Sequence, residues 1–275
     1  MGDEVVIIFD FDKTIIEYDS DDWVIENFGV TKLFDSLLST MPYNFLMDKM
    51  MEELHLQGIT IQNIADCLRK MPLSPNIISA IKSSYNSGCD LRILSDANKF
   101  FIETILEHHG VLHCFSEINT NPTYVNEQGR LKIAPYHDFN TSSHGCTLCP
   151  PNLCKGIVMK RIQASLPERK FIYIGDGKND FCPTLKLTPT DYVMPRKQFP
   201  LWDAICSNRD LVQATVHEWN DGEELETKLL NLINSLVTKD NHVSVARELA
   251  LADCKPQTGQ SSVPESFQKT VQVRH

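Results

Sequence analysis

Val5-Val6-Ile7-Ile8-Phe9-Asp10-Phe11-Asp12-Lys13-Thr14 is a run of five apolar residues that ends in paired acids. A continuous, mostly β-branched run without alternation is the pattern of a strand buried on both faces, so 5–9 is expected to be a parallel strand with polar groups at its carboxyl end. The pattern recurs twice. Leu91-Arg92-Ile93-Leu94 leads into Ser95-Asp96-Ala97-Asn98, and Phe171-Ile172-Tyr173-Ile174 leads into Gly175-Asp176-Gly177. Helical periodicity marks 76–87, 99–109 and 155–166 around these strands. The alternation predicts an α/β fold with a doubly wound parallel sheet, in which ligands bind beyond the carboxyl ends of the strands. All three polar clusters are therefore expected to meet at one site.

Between the first strand and Asn76 lie roughly 55 residues of helical periodicity, too many for a simple crossover. They read as an inserted helical cap with breaks at Met41-Pro42 and Gly58. Its Leu46, Met47, Met50, Met51 and Leu54 face reads as cap core, because methionine at helical spacing usually fills gaps. The expected organisation is an α/β core at 1–18 and 79–238, a cap at 19–78, and a tail at 239–275. Ser, Gln, Pro and Lys replace the apolar pattern in that tail, which predicts disorder.

The 275 residues are 42% hydrophobic and 23% charged, with only 12 Gly and 14 Pro, which excludes collagen, coiled coil and low-complexity scaffolds. No run approaches the ~20 apolar residues of a membrane span. The first residues lack the basic flank and cleavage site of a secretory signal, so a cytoplasmic protein is expected. A net charge of -10 disfavours nucleic acid and anionic lipid as partners. An anionic small substrate would then need local help from a metal, a lysine or a helix amino terminus. Nine scattered cysteines, an odd number, read as reduced thiols.

Asp10 and Asp12 lie on one face of an extended chain, but a turn beyond the strand end can splay them into a metal ligand and a proton donor. Alone they could be an acidic turn. The second cluster, Gly175-Asp176-Gly177-Lys178-Asn179-Asp180, adds glycines that permit close backbone approach and two hard oxygen ligands of the kind Mg²⁺ takes.

These residues resemble the four motifs of the haloacid dehalogenase superfamily of phosphotransferases. Asp10 to Thr14 is similar to motif one, Ser95 to motif two, Lys155 to motif three and Gly175 to Asp180 to motif four. The insertion resembles a type one cap, and Ser95-Asp96-Ala97-Asn98 resembles the phosphoethanolamine and phosphocholine phosphatase family, whose plant members include pyrophosphatases and thiamine phosphate phosphatases. The resemblance implies that Asp10 is the nucleophile forming an aspartyl-phosphate and that Asp12 protonates the leaving oxygen and then activates water. Such an acid needs a pKa raised above the usual carboxylate value. It further implies Mg²⁺ held by Asp10, Asp12 and Asp176, with Asp180 ligating or orienting a metal-bound water, and Ser95 and Lys155 on the phosphoryl group. Asp12 argues against a dehalogenase, which has no leaving alkoxide to protonate. A cap of this size favours a small substrate over a protein.

Acids beside a phosphate pocket are costly unless they face a cation. The resemblance implies Asp21 and Asp96 as contacts for an amino or quaternary ammonium end of the substrate, with Trp23 or Tyr18 as candidate cation-π faces. The competing readings are that Asp21 and Asp22 cap a helix and that Trp23 packs the cap. The expected activity is thus Mg²⁺-dependent hydrolysis of phosphocholine, phosphoethanolamine or thiamine monophosphate. A pyrophosphatase is the alternative, needing a second cation-lined pocket instead of Asp21 and Asp96, in which the sequence does not place Arg92, Arg196 or Lys197. A non-catalytic phosphate-binding module is the reading from another class. Separately, His144, Cys146, Cys149 and Cys154 form a cluster that could hold a structural zinc, although the spacing lacks a two-part knuckle and free cysteines often pack as small hydrophobes. Cys182 reads as packing.

Overall fold

The computed structural model describes residues 5–238, so the tail expected at 239–275 lies outside the described residues. Strand β1 (Val5–Phe9) is followed by four helices, α1 (Ser20–Asn27), α2 (Thr31–Leu37), α3 (Tyr43–Leu56) and α4 (Ile61–Leu68), then by α5 (Pro75–Asn86) and β2 (Asp90–Asn98). Next come α6 (Lys99–His108), β3 (Phe115–Asn121), β4 (Thr123–Val125), β5 (Leu131–Ile133), α7 (Lys155–Ser165) and β6 (Lys170–Gly175). The order closes with α8 (Phe181–Thr184), β7 (Tyr192–Pro195), α9 (Pro200–Ser207), β8 (Thr215–Val216) and α10 (Gly222–Thr238).

Six strands form one sheet in the order β3-β2-β1-β6-β7-β8, parallel at every ladder. The winding reverses at β1, which pairs with β2 on one edge and β6 on the other, so the crevice beyond Phe9 is the topological switch point. Alternation along β1 supplies both faces. Val5, Ile7 and Phe9 join the core built with α5, α6 and α10, whereas Val6 and Ile8 pack with Val158 and Ile162 of α7 and Leu201 and Ile205 of α9.

The insertion after β1 is the four helices α1 to α4. Gly58 takes a left-handed φ of 81° to end α3, and a capping box of Thr60 and Asn63 starts α4. Met47, Met50 and Met51 are buried in the same cluster as the sheet residues, so the cap shares its core with the body. The boundary expected at 78 falls inside α5, which packs along α10 and β2 as a single helix. The sequence pattern does not mark the antiparallel hairpin β4–β5, which docks on α3. Asp48 of α3 holds it, accepting from Arg130 at 2.9 Å, Lys132 at 2.6 Å and the Ile133 N–H at 3.0 Å. Among the described residues no helix is long and apolar enough to cross a membrane.

Candidate active site

The β1–β6 ladder pairs Phe9 with Ile174 and carries the Asp10 N–H onto the Ile174 carbonyl at 2.8 Å, setting Asp10 beside Gly175-Asp176. The chain then turns sharply. The Phe11 carbonyl accepts from Ile15 at 2.8 Å and Ile16 at 3.2 Å, and Lys13 takes a left-handed φ of 57°. Asp10 is buried, with one oxygen accepting the Phe11 N–H at 2.7 Å. Its other oxygen lies 2.9 Å from the Lys155 ammonium, which also lies 2.7 Å from Asp180. Lys155 is 0% exposed, although a lysine that opens a helix is ordinarily solvated.

Asp180 accepts four donors: Lys155 and the Tyr173 hydroxyl (2.5 Å) on Oδ1, the Asp176 N–H (3.1 Å) and Gly177 N–H (2.9 Å) on Oδ2. A carboxylate so fully engaged acts as a post that orients its neighbours. Gly175 is required for the same reason, since a Cβ there would stand 2.6 Å from Asp180 Oδ2. Asp176 takes a hydrogen bond from Thr14 at 3.1 Å. Carboxylate oxygens of Asp10, Asp176 and Asp180 all lie within 4.8 Å of one another.

Burial, then the Asp180 charge, pushes the Asp10 carboxyl well above its ordinary range against the pull of Lys155. Burial and Asp180 likewise push Asp176 up to about 7. Burial disfavours the Lys155 ammonium, but Asp10 and Asp180 outweigh it and raise its pKa. Three acids with one lysine leave a surplus of buried negative charge in a hard oxygen set, which fits a divalent cation such as Mg²⁺. Asp12 is half-buried, and its Oδ1 accepts the Ser20 N–H at 2.9 Å. Burial, followed by Asp19 and Asp21, raises its pKa, which is the environment a carboxylic general acid needs.

The cleft over these residues encloses about 460 Å³ of empty space, mouth included, and Ser95 of β2 lines it together with Asp176 and Gly177. An adjoining space of about 280 Å³ shares Asp21, Tyr43, Asp96 and Ala97 with it and adds Asn44, Asn121 and Asn152. Asp19, not Asp21, caps α1, accepting the N–H groups of Asp21 and Asp22 at 3.1 Å each. Asp21 is therefore free to face the cleft. It is 6% exposed, and its Oδ1 has no hydrogen-bond partner among the described residues. Burial, Asp19 and Asp22 raise its pKa, while a bond from the Tyr43 hydroxyl lowers it. Asp96 is held by Asn179 and, at 3.5 Å, by Asn152.

Trp23 turns away: its indole donates to the Cys67 carbonyl at 3.1 Å and its ring packs 5.2 Å from Tyr18. The aromatic wall of the cleft is Tyr43, which no pattern in the sequence marks. Nothing in the sequence singles out Thr14, at the end of the first motif, or Tyr173, on the strand before the fourth, as parts of the site. The basic residues considered for a second phosphate pocket are elsewhere. Arg92 pairs with Asp90 and Glu117, Arg196 donates to the Lys13 carbonyl and Glu17, and Lys197 lies 5.9 Å from the Trp202 ring.

Three findings relate the chain to known proteins. The Putative Phosphatase family model matches residues 5–233. "Inorganic pyrophosphatase 2" of Arabidopsis thaliana is 53% identical over 262 residues, covering 94% of each chain, and a "Thiamine phosphate phosphatase-like protein" of the same plant is 52% identical over 242 residues, covering 86% of this chain and 99% of its own. A crystal structure of apo phosphoserine phosphatase superposes with a TM-score of 0.53 at 17% identity, over 82% of this chain and 98% of that one, which places the sheet and its helices in the same fold.

Proposed function

Since the chain belongs to the putative phosphatase family, with a haloacid dehalogenase fold, and is a phosphatase, we propose that it hydrolyses a small phosphomonoester with a cationic end. Phosphocholine, phosphoethanolamine and thiamine monophosphate are the representative substrates. The observation that carries this reading is the buried Asp21 oxygen without a partner, beside Asp96 and Tyr43, in a compartment with no Lys or Arg among its lining residues. A buried carboxylate in that state is stabilised by an ammonium or quaternary nitrogen and destabilised by a second phosphate.

In the reaction the Asp10 carboxylate forms a bond to phosphorus as the ester P–O bond breaks, and Asp12 gives its proton to the departing alkoxide. A water then attacks the aspartyl-phosphate, Asp12 takes back a proton, and Asp10 is released with inorganic phosphate. Lys155 neutralises the phosphoryl oxygens and holds Asp10 in line, Ser95 donates to a phosphoryl oxygen, and Asp180 fixes Lys155. Asp10, Asp176 and the Asp12 carbonyl would hold Mg²⁺, which supplies charge neutralisation at the phosphoryl group. The non-catalytic module weighed from the sequence is set aside. A cytosolic location fits the cysteines, since none of the eight in the described residues is in a disulfide.

Pyrophosphate is the second reading, favoured by the name of the 53% identical relative. Steady-state kinetics of the purified protein on phosphocholine, phosphoethanolamine, thiamine monophosphate and pyrophosphate, each with and without Mg²⁺, decides between them. The proposal expects the highest kcat/KM on a substrate with a cationic end and loss of turnover without the cation. A preference for pyrophosphate would overturn the substrate assignment.

A further inference from the structure

Residues 134–154, between β5 and α7, carry neither helix nor strand. A loop of that length inside a compact domain needs something to hold it. Four cysteines supply a candidate: Cys146, Cys149 and Cys154 of the loop meet Cys182 of α8, and their four sulfurs all lie within 4.8 Å of one another. Cys146 Sγ is 3.6 Å and Cys154 Sγ 4.0 Å from Cys182 Sγ. Sulfurs at the corners of a tetrahedron about a zinc ion, each ~2.3 Å from it, stand about 3.8 Å apart. The observed spacings bracket that edge and are far from the ~2.0 Å of a disulfide.

We propose that Cys146, Cys149, Cys154 and Cys182 bind one structural zinc ion. Thiolates are the soft ligands that select zinc, and four of them leave no open position for catalysis. The surroundings are those of a thiolate site. The Leu148 N–H donates to Cys146 Sγ at 3.4 Å. Gly156 cradles the cluster, since a Cβ there would stand 2.5 Å from Cys182 Sγ. His144, counted with the cysteines from spacing, is a brace instead: its Nδ1 accepts the Cys146 N–H at 3.1 Å and its Nε2 meets the Pro150 carbonyl at 3.0 Å. Cys182 takes the fourth place.

The site lies outside the cleft, as none of the four cysteines lines either cavity, and it does not depend on the identity of the substrate. Its structural consequence is local. Cys154 immediately precedes Lys155, and Cys182 follows Asp180 by two residues, so one ion ties together the two segments whose ion pair braces Asp10.

The test is metal analysis of the full-length protein purified under reducing conditions from zinc-supplemented culture. One zinc per chain is expected to survive gel filtration, and exchange for Co²⁺ should give thiolate-to-metal charge transfer with intense tetrahedral bands. Cys149→Ser should lose the ion, whereas Cys67→Ser and Asp176→Asn should keep it. Wild-type protein that holds no zinc even after titration, an iron-loaded protein, or a cobalt spectrum without thiolate bands would each overturn the proposal. The wild-type measurements stand even where a cysteine variant fails to fold.

Discussion

The two ends of the cleft are built on opposite terms. At the end proposed to take the phosphate, Asp10 sits between the Phe11 N–H and Lys155, and Asp180 is saturated by four donors. At the far end Asp21 Oδ1 and Asn44 Oδ1 are buried with no hydrogen-bond partner among the described residues. A reaction centre held by its own protein partners is preorganised before substrate arrives. A recognition end with unmet polar atoms carries a desolvation cost that a matching ligand offsets. The chemistry can therefore stay constant across a family while the far end selects the substrate, in keeping with relatives named for pyrophosphate and for thiamine phosphate.

By this division, damage at the Asp10 end should strike every substrate and damage at the far end only some. Asp10→Asn should lower turnover on an aryl phosphate and on the preferred substrate alike, by at least about a thousandfold. Comparable hydrolysis by that variant would remove the nucleophile from the scheme. Lys155→Met should cost about a hundredfold or more in kcat. It should also lower the unfolding free energy by ~3 to 5 kcal/mol in a urea titration, because it removes the cation that faces the buried acids Asp10 and Asp180. A variant that folds as firmly as the parent would show that this lysine is not the brace.

Asp21→Asn sharpens the contrast from the other end. The ratio of kcat/KM for phosphocholine to that for an aryl phosphate should fall about tenfold, the scale of one charge-assisted contact of ~1.5 kcal/mol. An unchanged ratio would take Asp21 out of substrate recognition. The smallest effect is on pH dependence. In the metal-free chain Asp176 titrates at about 7 instead of 3.8, so the folded state binds more protons than the unfolded state between those values. Stability then falls as pH rises through that window. Without divalent cation the Tm should be lower at about pH 8 than at about pH 5, and Mg²⁺ should narrow the gap by favouring the ionised carboxylates. A metal-free Tm that rises over the same range would contradict the buried acid cluster.

Strands β1, β2 and β6 were legible because each carries a short apolar stretch, broken only by Arg92 in β2, that leads into a polar cluster, a local property of the chain. β7 has four residues and β8 two, too few for a period to register. The hairpin β4–β5 has three-residue strands and owes its place to Asp48, more than eighty residues away in sequence from its partners Arg130 and Lys132. The acids of the site were readable from their position after strands. Tyr43, Asn44 and Asn152 were not, since nothing near them in the chain marks them as cleft residues.

Local pattern thus sufficed for the α/β class, the inserted helices and the acids at the strand ends, because strand burial and the turns that follow depend on neighbours in the chain. Folding in three dimensions alone decided that Lys155 is buried between two acids, that Asp21 keeps an unmet oxygen in the cleft, and that Cys182 displaces His144 as the fourth member of its cluster. Each of these depends on distances between side chains far apart in the chain, which are set when separate elements pack together and leave no periodic trace along any one of them.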